Sequence, residues 1–166
     1  AVNVATAQVE LEYLARLGAP RRRLLYHGID TARYRPPATP ARERRLLCIS
    51  HLTRTNAHRK RLATVIRAMP HVLRRHPDAR LELSGGHEDA YPDLVALARA
   101  QGVEHAVEFP GRVSTEAKIA AYHRSSVYLQ PTIYEGFGVS IAEAMACGLP
   151  VVSNIPIPHL PAQAVA

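Results

Sequence analysis

Tryptophan is absent from the sequence, cysteine and methionine occur twice each, and aromatic residues make up only 5% of its 166 positions. Cys48 and Cys147 are far apart and form no CxxC pair, which excludes a disulfide scaffold and a thiolate zinc site; they read as small buried hydrophobes in a reducing, cytoplasmic compartment. Aromatics are missing from the basic stretches, and no recognition motif is present, which argues against a nucleic-acid-binding domain that stacks bases on rings. No apolar run approaches the roughly 20 residues of a membrane span. His87-Glu88 lacks the second histidine of a zinc-protease helix, so no metal site is expected. No G-x-G-x-x-G follows the first strand, which excludes an NAD-binding Rossmann domain. Acidic residues are also short: 14 against 21 basic ones give a net charge of +7. Lys60 and Lys118 are the only lysines, and the remaining basic residues are arginine. Such a surface suits a phosphate-bearing ligand or, through the Arg21–Arg23 cluster, peripheral contact with an anionic membrane.

What is present is an alternation of short apolar runs and amphipathic stretches. Residues 1–5 read as a strand, and 6–17 as a helix stopped by Gly18 and Pro20. Residues 36–44, rich in Pro, Ala and Arg, read as a linker. Arg45–Ser50 is a buried strand, 51–58 a polar loop, and 59–75 a helix with Leu62, Val65, Ile66, Met69, Val72 and Leu73 on one face; Pro70 is expected to kink or split it. Strands at 80–84 and 107–111 alternate with helices at 92–100 and after Ser114, with Gly85-Gly86 as a strand-to-helix turn. Residues 127–131 are a strand, 138–147 a helix, and Val151-Val152 begins another apolar run. About six strands alternating with helices predict an α/β fold, a Rossmann-like doubly wound parallel sheet. Ligands of such sheets bind beyond the carboxyl ends of the strands, where His51, Lys60, Gly85, Arg112 and Glu135 all fall.

Residues 132–152 carry the densest information. Gly136 and Gly138 let backbone approach a bound group, and the amides opening the next helix favour negative charge. Glu135 and Glu143, with seven residues between them, could accept hydrogen bonds from the hydroxyls of an extended polyol, or be a helix-end charge and a solvated side chain. The run Glu135-Gly-Phe-Gly-Val-Ser-Ile-Ala-Glu143 resembles the E-x7-E signature of retaining glycosyltransferases of the GT-B fold, family 4 type. The resemblance covers about residues 24–153 and implies one half of a two-domain enzyme. Residues 1–22 would be the tail of a preceding N-terminal domain or an interdomain segment, and 23–166 a nucleotide-sugar (donor) domain incomplete at its C-terminus. The segment Tyr26-His27-Gly28-Ile29-Asp30 resembles the start of such a domain, with His27 where asparagine is usual.

The resemblance also implies roles. Glu135 would face the donor sugar, with Gly136, Phe137, Gly138 and Val139 beside sugar and phosphates, and Glu143 would hold the ribose. Lys60 matches the lysine that holds the diphosphate, with Arg59 or Arg54 assisting; His51 stands where an arginine is usual. Gly85 belongs to a glycine loop, Arg112 and Val113 to a base-binding segment, and Lys118 falls where a base contact is often made. Lys60 and Glu135 would then be the catalytic pair, stabilising the leaving diphosphate and orienting the sugar. Transfer would run from a nucleoside-diphosphate sugar, UDP- or GDP-linked, to an unknown acceptor hydroxyl with retention, without an obligatory metal or other cofactor. Where the family has a Gly-Gly-x-x-Glu loop, this chain has Ile157-Pro158-His159-Leu160-Pro161. The isolated domain is expected to bind donor without turnover. Two alternatives stay open: a degenerate, non-catalytic nucleotide-sugar or scaffolding module, and a nucleotide-sugar epimerase.

Overall fold

The computed structural model describes residues 2–39 and 41–155, so the proline-rich segment beyond Ile155 lies outside the described residues. The chain runs β1 (Asn3–Ala5), α1 (Gln8–Arg16), β2 (Arg22–Leu24), β3 (Arg45–Ile49), α2 (Arg54–Arg59), α3 (Leu62–Arg75), β4 (Arg80–Ser84), α4 (Tyr91–Ala100), β5 (Val107–Glu108), α5 (Thr115–Arg124), β6 (Val127–Gln130), α6 (Val139–Ala146) and β7 (Val151–Ser153). β1 and β2 form a small parallel pair, and the main sheet has the order β5-β4-β3-β6-β7, also parallel throughout.

Period-2 alternation in β3 divides the core. Cys48 faces a cluster built with Leu62, Val65, Ile66 and Met69 of α3 and Leu94 and Ala98 of α4. Leu47 faces the opposite cluster, with Tyr122 of α5 and Ile141 and Ala144 of α6. One strand thus feeds apolar side chains to helices on both sides, which makes the sheet doubly wound. The order of the strands reverses between β3 and β6, so the loops leaving these two strands diverge and open a crevice.

Four local features differ from the expectations. The loop at 51–58 contains the short helix α2, capped by the Thr53 hydroxyl, which accepts from the Asn56 amide. Pro70 lies inside α3, which runs unbroken from Leu62 to Arg75, held by buried Leu62, Val65, Ile66 and Met69 before the proline and by partly buried Val72 and Leu73 after it. The strand expected over 107–111 is ladder-paired only at Val107 and Glu108. β2 was hidden by its composition: it is three residues long, arginine-rich and largely exposed.

Candidate functional site: a cleft at the strand-order reversal

Two backbone devices shape the crevice. At Gly85 a Cβ would lie 1.7 Å from the Ser50 carbonyl oxygen, so the chain ends of β3 and β4 approach each other only because this residue has no side chain. At Gly138, φ 75° and ψ 47° put the residue before α6 in the left-handed region, which turns the chain from the β6 loop into the helix. The cleft between these loops has a volume of about 820 Å³. His51, Arg59, Lys60, Gly85, Arg112, Val113, Lys118, Glu135, Gly136, Phe137, Gly138, Val139 and Glu143 all line it.

Arg54 does not. It opens α2, where its amide donates to Asp89 and its guanidinium lies 3.5 Å from Asp93, so it is directed toward α4 rather than into the cleft. Arg59, at the other end of α2, takes the inward place. Its guanidinium donates to the Tyr134 carbonyl, to Asn56 and, at 3.4 Å, to Glu135, and sits 5.3 Å from the centre of the Tyr134 ring.

Lys60 owes its position to a break between helices. Arg61 has φ 49°, a left-handed conformation that costs a residue with a Cβ about 1–2 kcal/mol. The post-β6 loop is tied to this break, the Ile133 amide donating to the Arg59 carbonyl at 2.7 Å. Lys60 is 9% exposed, and its Nζ donates to the Ile49 carbonyl at 3.1 Å. Burial holds its ammonium below the ordinary lysine range, with Glu135 acting in the opposite direction. A buried cation with donor capacity left over, at the mouth of a parallel sheet, is equipped to receive an anion.

The two glutamates are held differently. Glu135 accepts from Gln130 Nε2 at 2.7 Å, with Arg59 more distant. Glu143, 6% exposed, accepts from Lys118 Nζ at 2.7 Å and from the Tyr122 hydroxyl at 2.9 Å. Burial is the largest single influence on the Lys118 pKa and lowers it, but the hydrogen bonds and charges of Glu143 and Tyr34 together outweigh it and the net shift is upward. Burial pushes the Tyr122 phenol far up, so it remains a donor. His51 is exposed and its Nδ1–H donates to Glu88 at 3.0 Å, an interaction that lowers the Glu88 pKa.

Several lining residues carried no sequence signal of their own, among them Thr6, Glu10, Asn56, Tyr134 and Ser140. Glu10 is legible in retrospect: it stands at the third position of α1 and caps it, accepting from the Thr6 amide and hydroxyl at 2.7 and 2.8 Å and from Ala7. The Thr6 backbone bond leads in lowering its pKa. A Cβ on Gly136 would lie 2.9 Å from this carboxylate, which places the N-terminal unit directly against the glutamate loop. Among the described residues, no group of three or more His, Cys, Asp or Glu is arranged to hold a metal ion. No helix among them is long and apolar enough to cross a membrane.

A parallel, doubly wound sheet with an E-x7-E segment after β6 is the arrangement of one half of a GT-B fold. Residues 36–162 match the family model described as glycosyl transferases group 1, and the chain belongs to that family, the family 4 type of the GT-B fold. It is 37% identical over 110 residues to an uncharacterized glycosyltransferase, MJ1607, of Methanocaldococcus jannaschii, covering 66% of this chain and 27% of that protein. It is 32% identical over 137 residues to a glycogen synthase of Mycobacterium tuberculosis, covering 79% of this chain and 31% of the relative. Among solved structures, sucrose-phosphate synthase from Thermosynechococcus elongatus superposes with a TM-score of 0.76 at 28% identity, over 90% of this chain and 39% of that one. Anabaena HepE, solved with UDP and glucose, gives 0.76 at 21% identity over 92% and 44%, a likeness of fold. The chain therefore spans less than a third of the curated relatives named here.

Proposed function

We propose that this chain is the donor-binding half of a retaining glycosyltransferase, which moves a sugar from a nucleoside-diphosphate sugar to an acceptor hydroxyl. The observation that carries the reading is the convergence of Lys60 and Glu135 where β3 and β6 diverge: a buried ammonium and an oriented carboxylate share one cleft, at a crossing point suited to a nucleotide. Lys60 would receive the diphosphate and stabilise the charge that develops on it as the glycosidic bond breaks. Arg59 would supply a second cation nearby. Glu135 would accept from the sugar hydroxyls and hold the anomeric carbon toward the acceptor. Glu143 would accept from the ribose hydroxyls through lone pairs left after its bonds to Lys118 and Tyr122. Arg112 and Val113 would flank the base, and His51 would add its ring to the phosphate side. No divalent metal is required in this scheme.

Residues 1–22 would be the end of the preceding N-terminal domain or an interdomain segment; the separate two-stranded sheet of β1 and β2, which runs on to Leu24, supports that reading. The preceding domain would supply the acceptor site, so this chain alone should bind donor without transferring it. A cytoplasmic protein with peripheral membrane contact through Arg21–Arg23 is part of the same reading.

Calorimetric titration with UDP and GDP, with and without Mg²⁺, tests it. Saturable binding of one nucleotide without Mg²⁺ is expected, weakened about 10- to 100-fold in Lys60→Ala by loss of a charge-assisted contact. Absence of binding to a folded chain would favour the second reading, a non-catalytic module. That reading draws on Glu143 already being engaged by Lys118 and Tyr122, and His51 by Glu88.

A further inference from the structure

Gln130 is the last residue of β6, and its side chain is completely buried. An amide in that position is costly unless both of its ends are bonded, and an aliphatic residue would fill the same space. Both ends are bonded. Its Oε1 accepts from the Tyr128 hydroxyl at 3.0 Å, and its Nε2 donates to Glu135 Oε2 at 2.7 Å. Tyr128 is itself fully buried, two residues back on the same face of the strand, and burial drives its phenol pKa well up, so the hydroxyl stays protonated as the donor. A carboxylate only accepts, so the amide nitrogen must face Glu135 and the oxygen must face Tyr128. Gln130 contributes nothing to the wall of the cleft, whereas Glu135 does.

From this chain of contacts we infer that Gln130, itself held by Tyr128, is the positioning residue that aims the Glu135 carboxylate at the sugar of the donor. The inference rests on the proposed function and deepens it. Glu135 sits on a glycine-bearing loop, where an unsupported carboxylate would be free to change rotamer. A strand-borne amide holds it without neutralising it. The second oxygen keeps its lone pairs for hydroxyl donors, and Arg59, at 3.4 Å, is only a distant partner. Because the contact is made to the sugar-facing group alone, its effect should fall on the sugar and leave the nucleotide unaffected.

The test compares UDP with UDP-glucose, and GDP with GDP-mannose, by calorimetry on the wild-type chain, on Gln130→Met, and on Tyr128→Phe, with folding checked by circular dichroism. Gln130→Met keeps side-chain length and removes the donor. It should leave the nucleoside diphosphate dissociation constant within about two-fold and weaken the matching sugar nucleotide roughly ten-fold. Tyr128→Phe, which unties the amide oxygen and also removes the hydroxyl's contacts with Ser140 and the Ile49 backbone, should act in the same direction with a smaller change, about three-fold. If Gln130→Met does not fold, the Tyr128→Phe ratio decides. Equal weakening of diphosphate and sugar nucleotide, or an unchanged ratio between them, would make Gln130 purely structural and overturn the inference while leaving the donor site intact. A folded wild-type chain that binds neither nucleotide overturns the inference together with the reading beneath it.

Discussion

The two ends of the glutamate loop make a controlled comparison within one short segment. Glu135 lies on the loop and is held by a neutral buried amide, with its nearest cation at 3.4 Å. Glu143 lies inside α6 and is held by an ammonium at 2.7 Å and a phenol. The first arrangement orients a charge and leaves it free to interact. The second compensates a buried charge, which helix packing against Tyr122 would otherwise leave unpaired at a cost of several kcal/mol. One carboxylate is therefore oriented with capacity to spare, and the other is compensated within the packing of α5 and α6.

Stability measurements would break this contrast most readily. Glu143→Gln leaves Lys118 and Tyr122 without their acceptor charge and should lower unfolding free energy by about 2 kcal/mol, less than for a fully buried pair because the lysine is 23% exposed. Glu135→Gln keeps an acceptor for Gln130 and should cost about 1 kcal/mol or less. Equal losses in urea unfolding would show that the two sites are held alike.

Lys60 gives the next largest effect, through pH. Its ammonium is protonated only below a pKa that burial has lowered, and an anionic ligand favours the protonated form. Diphosphate binding should therefore take up protons, and affinity should fall as pH rises through the free-state pKa, before the ordinary lysine range is reached. Folding shows the opposite sign: between the lowered folded pKa and the higher unfolded one, the unfolded chain binds more protons, so stability of the unliganded chain rises with pH. Calorimetry in buffers of different ionisation enthalpy, beside Lys60→Met, checks both signs.

The smallest expected effect sharpens the comparison by its absence. Arg54→Ala should leave nucleotide affinity unchanged and alter stability by no more than about 0.5 kcal/mol, because the pair it makes with Asp93 is long and exposed. Its neighbour on the same short helix, Arg59, is only 18% exposed and faces Glu135.

That difference between Arg54 and Arg59 marks where sequence reading stops. Both are arginines in one basic stretch, and composition could not rank them. The pairing of faces is decided by α2, which was invisible because five of its six residues are polar and the lone Ala57 makes no apolar period. Similarly, Gln130 was readable as a strand residue, yet nothing local to it announced that its amide meets a carboxylate across the Pro131 turn.

The sequence by itself determined the alternation of strands and helices, the doubly wound class and the family, since hydrophobic period, glycine and proline punctuation and the E-x7-E spacing are properties of neighbouring residues. Only the tertiary structure decided that Lys60 is buried against Ile49, that Lys118 neutralises Glu143, and that Glu10 borders Gly136. These contacts join residues brought together by parallel crossovers and by the reversal of strand order between β3 and β6. Such geometry arises from the packing of whole elements, and no local period encodes it.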